Sequence, residues 1–172
     1  MTTCRHRRDF IKLGLAGGIS LVIPGVAAAD NIRRLSGAVF INKQRASLAS
    51  SIRPGDLVTT SHDGLVAFTV GADAFLLQGN TSLQVGQTDN PLVSVLQLLT
   101  GKLLGVFETG RQRNIVTANA TIGIRGTACF LNSSPRKLYY CNCYGKTTLT
   151  SGGHREDFAA THHSAYQIDF DQ

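Results

Sequence analysis

The chain has 172 residues, of which 42% are hydrophobic and 16% are charged, so it can fold as one domain and is not a disordered tail. Its net charge of +6 is concentrated at the amino terminus: from position 30 onward, 13 lysines and arginines stand against 10 aspartates and glutamates, a net charge of +3. Because no basic cluster with interleaved aromatic residues occurs there, we expect no nucleic-acid partner.

Residues 1–29 are predicted to be an export signal. A basic cluster precedes an apolar stretch over residues 13–29, which five glycine and proline residues interrupt. The stretch is too short and too broken for a stable membrane-spanning helix, which needs about 20 apolar residues. Since Ala27, Ala28 and Ala29 are the small residues that precede a signal-peptidase cleavage site, we predict cleavage after Ala29 and no membrane span thereafter.

The segment from His6 to Lys12 resembles the twin-arginine export motif. Arg7 and Arg8 are followed by Phe10, an aliphatic residue and a lysine. The resemblance implies that the protein crosses the membrane already folded and resides in the bacterial periplasm. Folding would then occur in the reducing cytoplasm, where thiols stay free and metal ions can be loaded. The alternative is an ordinary secretory signal with a chance arginine pair.

Residues 30–172 are predicted to form a single all-β domain. From Gly55 to Gly86, glycines recur every seven to nine residues, and β-prone runs lie between them. No stretch shows helical periodicity over a dozen residues, although residues 155–158 are compatible with one helical turn. The predicted turns are Pro54–Asp56, Asn90–Pro91 and Ser134–Pro135. The strand candidates are residues 57–60, 65–70, 75–77, 82–85, 93–99, 102–107, 127–131, 138–144 and 165–168.

Several motifs in order resemble the FecR domain family, over residues 37–150. They are Gly37-Ala38-Val39 with Asn42, the run from Ile52 to Thr60, the run from Ile115 to Ala120 before Ile124-Arg125-Gly126-Thr127, and the run from Tyr144 to Leu149. The resemblance implies a periplasmic all-β module of short stacked strands, which is either β-solenoid-like or a flattened β-sandwich.

Founding members of that family relay receptor occupancy across the inner membrane to a cytoplasmic sigma factor. This sequence shows no cytoplasmic regulatory segment and no uncleaved spanning helix, so we expect the fold to carry over and not the signalling role. We interpret the Arg125-Gly126-Thr127 signature as structural, because a glycine between β-prone residues marks a bulge or a close backbone approach.

Three cysteines follow the predicted cleavage site: Cys129, Cys141 and Cys143. Cys141 and Cys143 are two apart on a predicted strand and therefore share a face. If Ser133 to Lys137 form the tip of a hairpin, opposite residues sum to 270, and Cys129 faces Cys141. A register slip of one residue would place Cys129 on the other face.

A transition-metal site is the first hypothesis for these thiols. Two thiolates and one or two imidazoles, from His162 and His163, would suit zinc or iron, with Cys129 as a further candidate ligand. On a strand, only one of the two adjacent histidines can face the thiols. The alternatives are a Cys129–Cys141 disulfide formed after export, inert buried thiols, or a redox pair.

No catalytic motif and no motif for an organic cofactor occurs in the sequence. The serine-hydrolase elbow, the phosphate loop, the His-Glu-x-x-His motif and the haem-attachment motif are all missing. We therefore expect a non-enzymatic periplasmic FecR-domain protein that binds an envelope protein or a metal. One alternative is a small thiol- or metal-dependent redox protein. Another is an envelope module that binds glycan or protein.

Overall fold

The computed structural model describes residues 30–86 and 93–170. The predicted export signal and the predicted turn at Asn90–Pro91 lie outside these ranges. Within them the chain forms thirteen strands and no helix, and therefore no helix that could span a membrane. The strands are β1 (Ile32–Ser36), β2 (Val39–Ile41), β3 (Gln44–Arg45), β4 (Leu57–Thr60), β5 (Leu65–Val70), β6 (Asp73–Leu77), β7 (Ser82–Val85), β8 (Val93–Val106), β9 (Gln112–Val116), β10 (Ala120–Ser134), β11 (Lys137–Ser151), β12 (His154–Ala160) and β13 (Ser164–Asp169).

The predicted all-β class is confirmed, and the predicted turn at Pro54–Asp56 is present. The turn predicted at Ser134–Pro135 lies one residue later, at Pro135 and Arg136, because Ser134 is the last residue of β10. Two further details differ. The runs 93–99 and 102–107 are one strand, which continues through Gly101 at a φ of 96°. Residues 155–158 are not a helical turn but part of β12, because their backbone pairs with β11 and Phe158 is buried against the core.

Strand pairing divides into two halves that share the long strands β8, β10 and β11. One half runs β12-β11-β10-β9-β8-β7-β4-β2-β3, and the other continues from β11 and β10 through β8 and β6 to β5 and β1, with β13 beside β11. All pairs are antiparallel except β8 with β9. The inward side chains of both halves form one apolar core, so the architecture is a flattened β-sandwich whose long strands pass from one layer to the other.

Three bulges lie side by side where the shared strands change partners. In β10, Gly126 and Thr127 lie opposite the single residue Gly145 of β11. In β11, Cys143 is an extra residue between the paired positions of Asn142 and Tyr144. Between β12 and β13, three residues, 161–163, face two residues of β11. Strands that switch between packed sheets turn the corner through such bulges, which also re-aim side chains.

The FecR-like motif residues have structural roles at these turns and bulges. Asn42 donates to the Asp56 carboxylate at 2.7 Å and accepts from the Leu57 amide at 2.9 Å, which ties the β2–β3 turn to the Pro54–Asp56 turn. Thr127, buried inside the fold, donates to Asn142 at 3.0 Å, and Asn142 donates to the Gly145 carbonyl at 3.1 Å. The second network holds the two bulges of β10 and β11 together.

Candidate metal centre

Cys141 lies on β11, between β10 on one side and β13 on the other. It is directly opposite Phe130 on β10 and Ala165 on β13. Its neighbours Tyr140 and Asn142 point into the molecule and are fully buried, so strand alternation turns Cys141 to the outward face. There it remains buried, with 7% of its surface exposed, but it is not part of the apolar core.

Cys143 reaches the same place because it is the bulge residue of β11. Its thiol is half-buried and lies 4.0 Å from the carbonyl oxygen of Cys141. Burial and the nearby Cys141 thiol raise the pKa of Cys143, while the backbone of Phe130 opposes that shift. A thiol of this kind stays protonated until a nearby cation, such as a metal ion, lowers its pKa.

His163 completes the cluster from the bulge between β12 and β13. Its Nδ1 atom lies 3.6 Å from the Cys141 sulfur, and the imidazole is exposed on its other side. The two sulfur atoms and one imidazole nitrogen all lie within 4.8 Å of one another, as three ligands of one metal ion would. In a tetrahedral zinc site, the ordinary Zn–S and Zn–N bond lengths place sulfur and nitrogen about 3.6 Å apart.

The structure does not bring the other two predicted ligands into this group. His162 is exposed and contributes no atom to the cluster. Cys129 is fully buried on the inward face, where burial, with smaller effects of Cys143 and Cys141, raises the pKa of its thiol.

The predicted register of the β10–β11 hairpin is wrong by one residue. The turn contains only Pro135 and Arg136, with Ser134 paired to Lys137, so opposite residues sum to 271 and Cys129 faces Asn142. The Ser134 side chain accepts from the Lys137 amide at 3.1 Å, which closes this short turn. Because Cys129 and Cys141 lie on opposite faces of the sheet, the alternative of a Cys129–Cys141 disulfide does not fit the structure. The thiols of Cys129, Cys141 and Cys143, the cysteines in the described ranges, are all free.

Sequence reasoning missed the bulges that assemble the cluster. The signal for one of them was Gly145, which adopts a φ of 90° and in which a Cβ would lie 2.8 Å from the Gly126 carbonyl oxygen.

Ser61, His62 and Asp63, which contain the side chains of a hydrolase triad, occupy an exposed turn. There Ser61 donates to Asp63, and His62 lies 4.0 Å from that carboxylate, so no serine–histidine pair forms.

Comparison with known proteins identifies relatives in fold only. No protein-family model and no curated protein matches the sequence, so membership of the FecR family remains a prediction. Two crystal structures of a protein from Parabacteroides distasonis ATCC 8503, described as a putative anti-sigma factor, resemble this chain with a TM-score of 0.55 and 10% identity. The match covers 67% of this chain and 60% of that one. The all-β architecture of the present chain is thus one that a solved protein shares.

Proposed function

We propose that this protein is a non-enzymatic, metal-binding FecR-like module that is exported to the bacterial cell envelope. The observation that carries the proposal is the convergence of Cys141, Cys143 and His163 at aligned bulges. Two of the residues come from β11 and the third from the segment between β12 and β13, and their ligand atoms all lie within 4.8 Å of one another. The motif order and the twin-arginine-like signal support the family and the export route.

The donor set fits zinc or iron better than a hard cation. Two thiolates and an imidazole are soft and borderline ligands, whereas calcium and magnesium prefer oxygen. Three protein ligands leave a fourth tetrahedral position for water or for a side chain of a partner. Export of the folded protein would let the site fill in the cytoplasm before the periplasm oxidises the thiols.

Metal content and free thiols, measured on the same sample, test this proposal. The exported protein is purified without a histidine tag, and its metal is quantified by elemental analysis. We expect about one zinc or iron per chain, lost in Cys143→Ser and in His163→Ala. His162→Ala is the matched control, since it removes an adjacent exposed imidazole outside the cluster, and it should keep its metal.

Protein that stays metal-free even after mild reduction and incubation with Zn²⁺ would overturn the metal site. In that case, turnover of a disulfide or peroxide substrate that is lost in a Cys141→Ser/Cys143→Ser variant would establish the redox alternative. Equal metal loss in His162→Ala and His163→Ala would contradict the assigned ligand set.

A second candidate function is the binding of a regulatory protein partner. It is favoured by the likeness in fold to a putative anti-sigma factor and by the exposed aromatic side chain of Tyr144, which is 48% exposed beside Cys143. A photo-crosslinking amino acid at position 144 should capture a defined partner in the native host. The same group at Leu48, an exposed residue between β3 and β4, is the control. Equal labelling from both positions would contradict a partner at the bulges.

A further inference from the structure

The outward face of strands β9 to β12 contains a polar cleft whose floor is Gly123. Strand register places Asn114, Gly123, Thr148 and Asp157 side by side across the four strands. Because Gly123 has no side chain, a cavity of about 130 Å³ opens above it. Its walls include the side chains of Gln112, Asn114, Thr121, Arg125, Thr150 and Arg155.

Positive charge is concentrated around this cleft. Arg125 and Lys146 lie directly opposite each other on β10 and β11, Arg155 lies at the far side on β12, and Arg111 borders the adjoining gap beside Arg125. Among the described residues that line the cleft and the two cavities beside it, Asp157 is the one acidic residue. These five residues carry a net charge of +3, so the remaining nine basic and nine acidic residues from position 30 onward cancel.

Within the described residues, the side chains of Arg125 and Lys146 have no acidic partner. Asp157 accepts from the Thr148 hydroxyl at 2.6 Å and lies 4.0 Å from the Arg155 Nε atom. Over residues 30–86 and 93–170, no ion pair or hydrogen bond joins the side chain of Arg125 or Lys146 to an acidic group. The guanidinium of Arg125 can therefore present its planar pair of donors to a phosphate or a carboxylate.

We propose that this cleft binds a small sugar that carries a phosphate or a carboxylate group. Arg125, with Lys146 or Arg155, pairs with the oxyanion. The hydroxyl and amide side chains of the walls exchange hydrogen bonds with sugar hydroxyls, and the missing side chain of Gly123 leaves room for the ring. The proposal stands apart from the metal centre, because none of the cleft residues belongs to the Cys141–Cys143–His163 group.

Binding measurements with two anionic sugars and their neutral parent test the proposal. The full exported protein is titrated by calorimetry with glucose 6-phosphate, glucuronate, glucose and inorganic phosphate. We expect at least one of the anionic sugars to bind at least tenfold more tightly than glucose and than inorganic phosphate. The stronger of the two identifies the preferred oxyanion. Affinity should fall at high salt, since exposed charges are screened.

Two variants separate a shaped site from diffuse attraction. Arg125→Ser removes the anchoring charge. Gly123→Thr fills the floor without changing charge, and the fold should accept it, because a Cβ there would make only ordinary contacts of 3.6 Å or more. Each should weaken the anionic sugar at least tenfold. Arg34→Ser, which removes an exposed arginine of β1 outside the cleft, is the control and should bind normally.

Four results would overturn the proposal. The first is equal binding of glucose and both anionic sugars. The second is a loss in Arg34→Ser as large as that in Arg125→Ser. The third is unchanged binding in a folded Gly123→Thr variant, since that would mean the ligand does not occupy the cleft. Inorganic phosphate binding as tightly as glucose 6-phosphate would refute recognition of the sugar.

Discussion

Asp73, the first residue of β6, and Arg113 of β9 form a buried ion pair. The Arg113 Nε atom donates to Asp73 Oδ2 at 2.5 Å and Nη2 to Oδ1 at 3.1 Å, and the Glu108 amide donates to Oδ1 at 3.0 Å. The two side chains are only 7% and 6% exposed. Forty residues separate them along the chain, so the sequence contains no local signal that pairs them.

Removal of one member of this pair should destabilise the fold strongly. Asp73→Ala leaves the Arg113 guanidinium buried without a counter-charge, at an expected cost of about 3–5 kcal/mol. Chemical denaturation with urea measures the loss. Glu156→Ala, at an exposed acidic residue of β12, should change stability by no more than about 0.5 kcal/mol. A double Asp73→Leu/Arg113→Met variant, which removes both charges, should be more stable than Asp73→Ala. If Asp73→Ala leaves the free energy of unfolding unchanged, the ion pair does not stabilise the fold.

Cys129 and Tyr140 are buried acids that should make the fold sensitive to alkaline pH. Burial raises the pKa of Cys129 above its ordinary value of 9.0 and, although the hydrogen bond to Thr147 opposes the shift, that of Tyr140 above 10.0. Both groups stay protonated in the folded chain at a pH where the unfolded chain has lost the proton. The contribution of each group to the free energy of unfolding is therefore fully present below the group's unfolded pKa. It is lost progressively as pH rises above that unfolded pKa.

We therefore expect the free energy of unfolding to fall as pH rises from 8 to 10.5. Each group contributes a slope approaching about 1.4 kcal/mol per pH unit once pH exceeds its unfolded pKa. In Cys129→Ala the decline between pH 9 and 10 should become shallower, even though the variant is less stable at pH 8. Urea titrations at several pH values give the slopes, and identical slopes in the two proteins would refute the assignment to Cys129.

At the scale of strands, sequence predicted where the chain extends better than how strands pair. The bounds of β4, β5 and β7 were predicted to the residue because alternating apolar residues and flanking turn residues are local signals. The register of the β10–β11 hairpin depends on whether Ser133 and Ser134 extend the strand or form the turn, and composition favours the turn. Hydrogen bonding to Gly101 and Lys137 keeps them in the strand.

The metal cluster was predictable only in part for the same reason. The Cys-x-Cys spacing and the adjacent histidines are visible in the sequence, and they suffice to propose shared ligands. The bulges at Cys143 and residues 161–163 arise from pairing between strands distant in sequence, so the choice of His163 over His162 needed the structure. The inward position of Cys129 likewise follows from the register.

Gly126 gives a direct test of the bulge in β10. It adopts a φ of 61°, and a Cβ there would lie 2.7 Å from the Thr109 methyl carbon and 2.9 Å from the Thr109 Cα. Gly126→Val should therefore cost about 1–3 kcal/mol from strain and overpacking. Gly123→Ala, on the same strand with ordinary space and no left-handed φ, is the matched control. An unchanged melting temperature in Gly126→Val would show that the close approach is not required.

At the scale of the whole molecule, the long strands β8, β10 and β11 connect the two layers of the sandwich. They run through both layers, so the bulge row, the metal cluster and the cleft above Gly123 sit on one continuous piece of sheet. Such long-range pairing has no local sequence signal, which is why the sequence predicted the all-β class without the topology. It also means that the sites depend on the complete domain being folded.

This dependence gives the proposed export route a physical consequence. A pathway that transports folded proteins delivers the thiol cluster already assembled, whereas a pathway that transports unfolded chains would expose three thiols to oxidation before the strands pair.

We expect Arg7→Lys combined with Arg8→Lys to leave a folded, uncleaved precursor in the cytoplasm. Fractionation followed by amino-terminal sequencing checks this result. Arg5→Lys, outside the arginine pair, should still be exported and begin at Asp30. If the double variant also reaches the periplasm with Asp30 as its first residue, the twin-arginine route is wrong and the cluster must assemble after export.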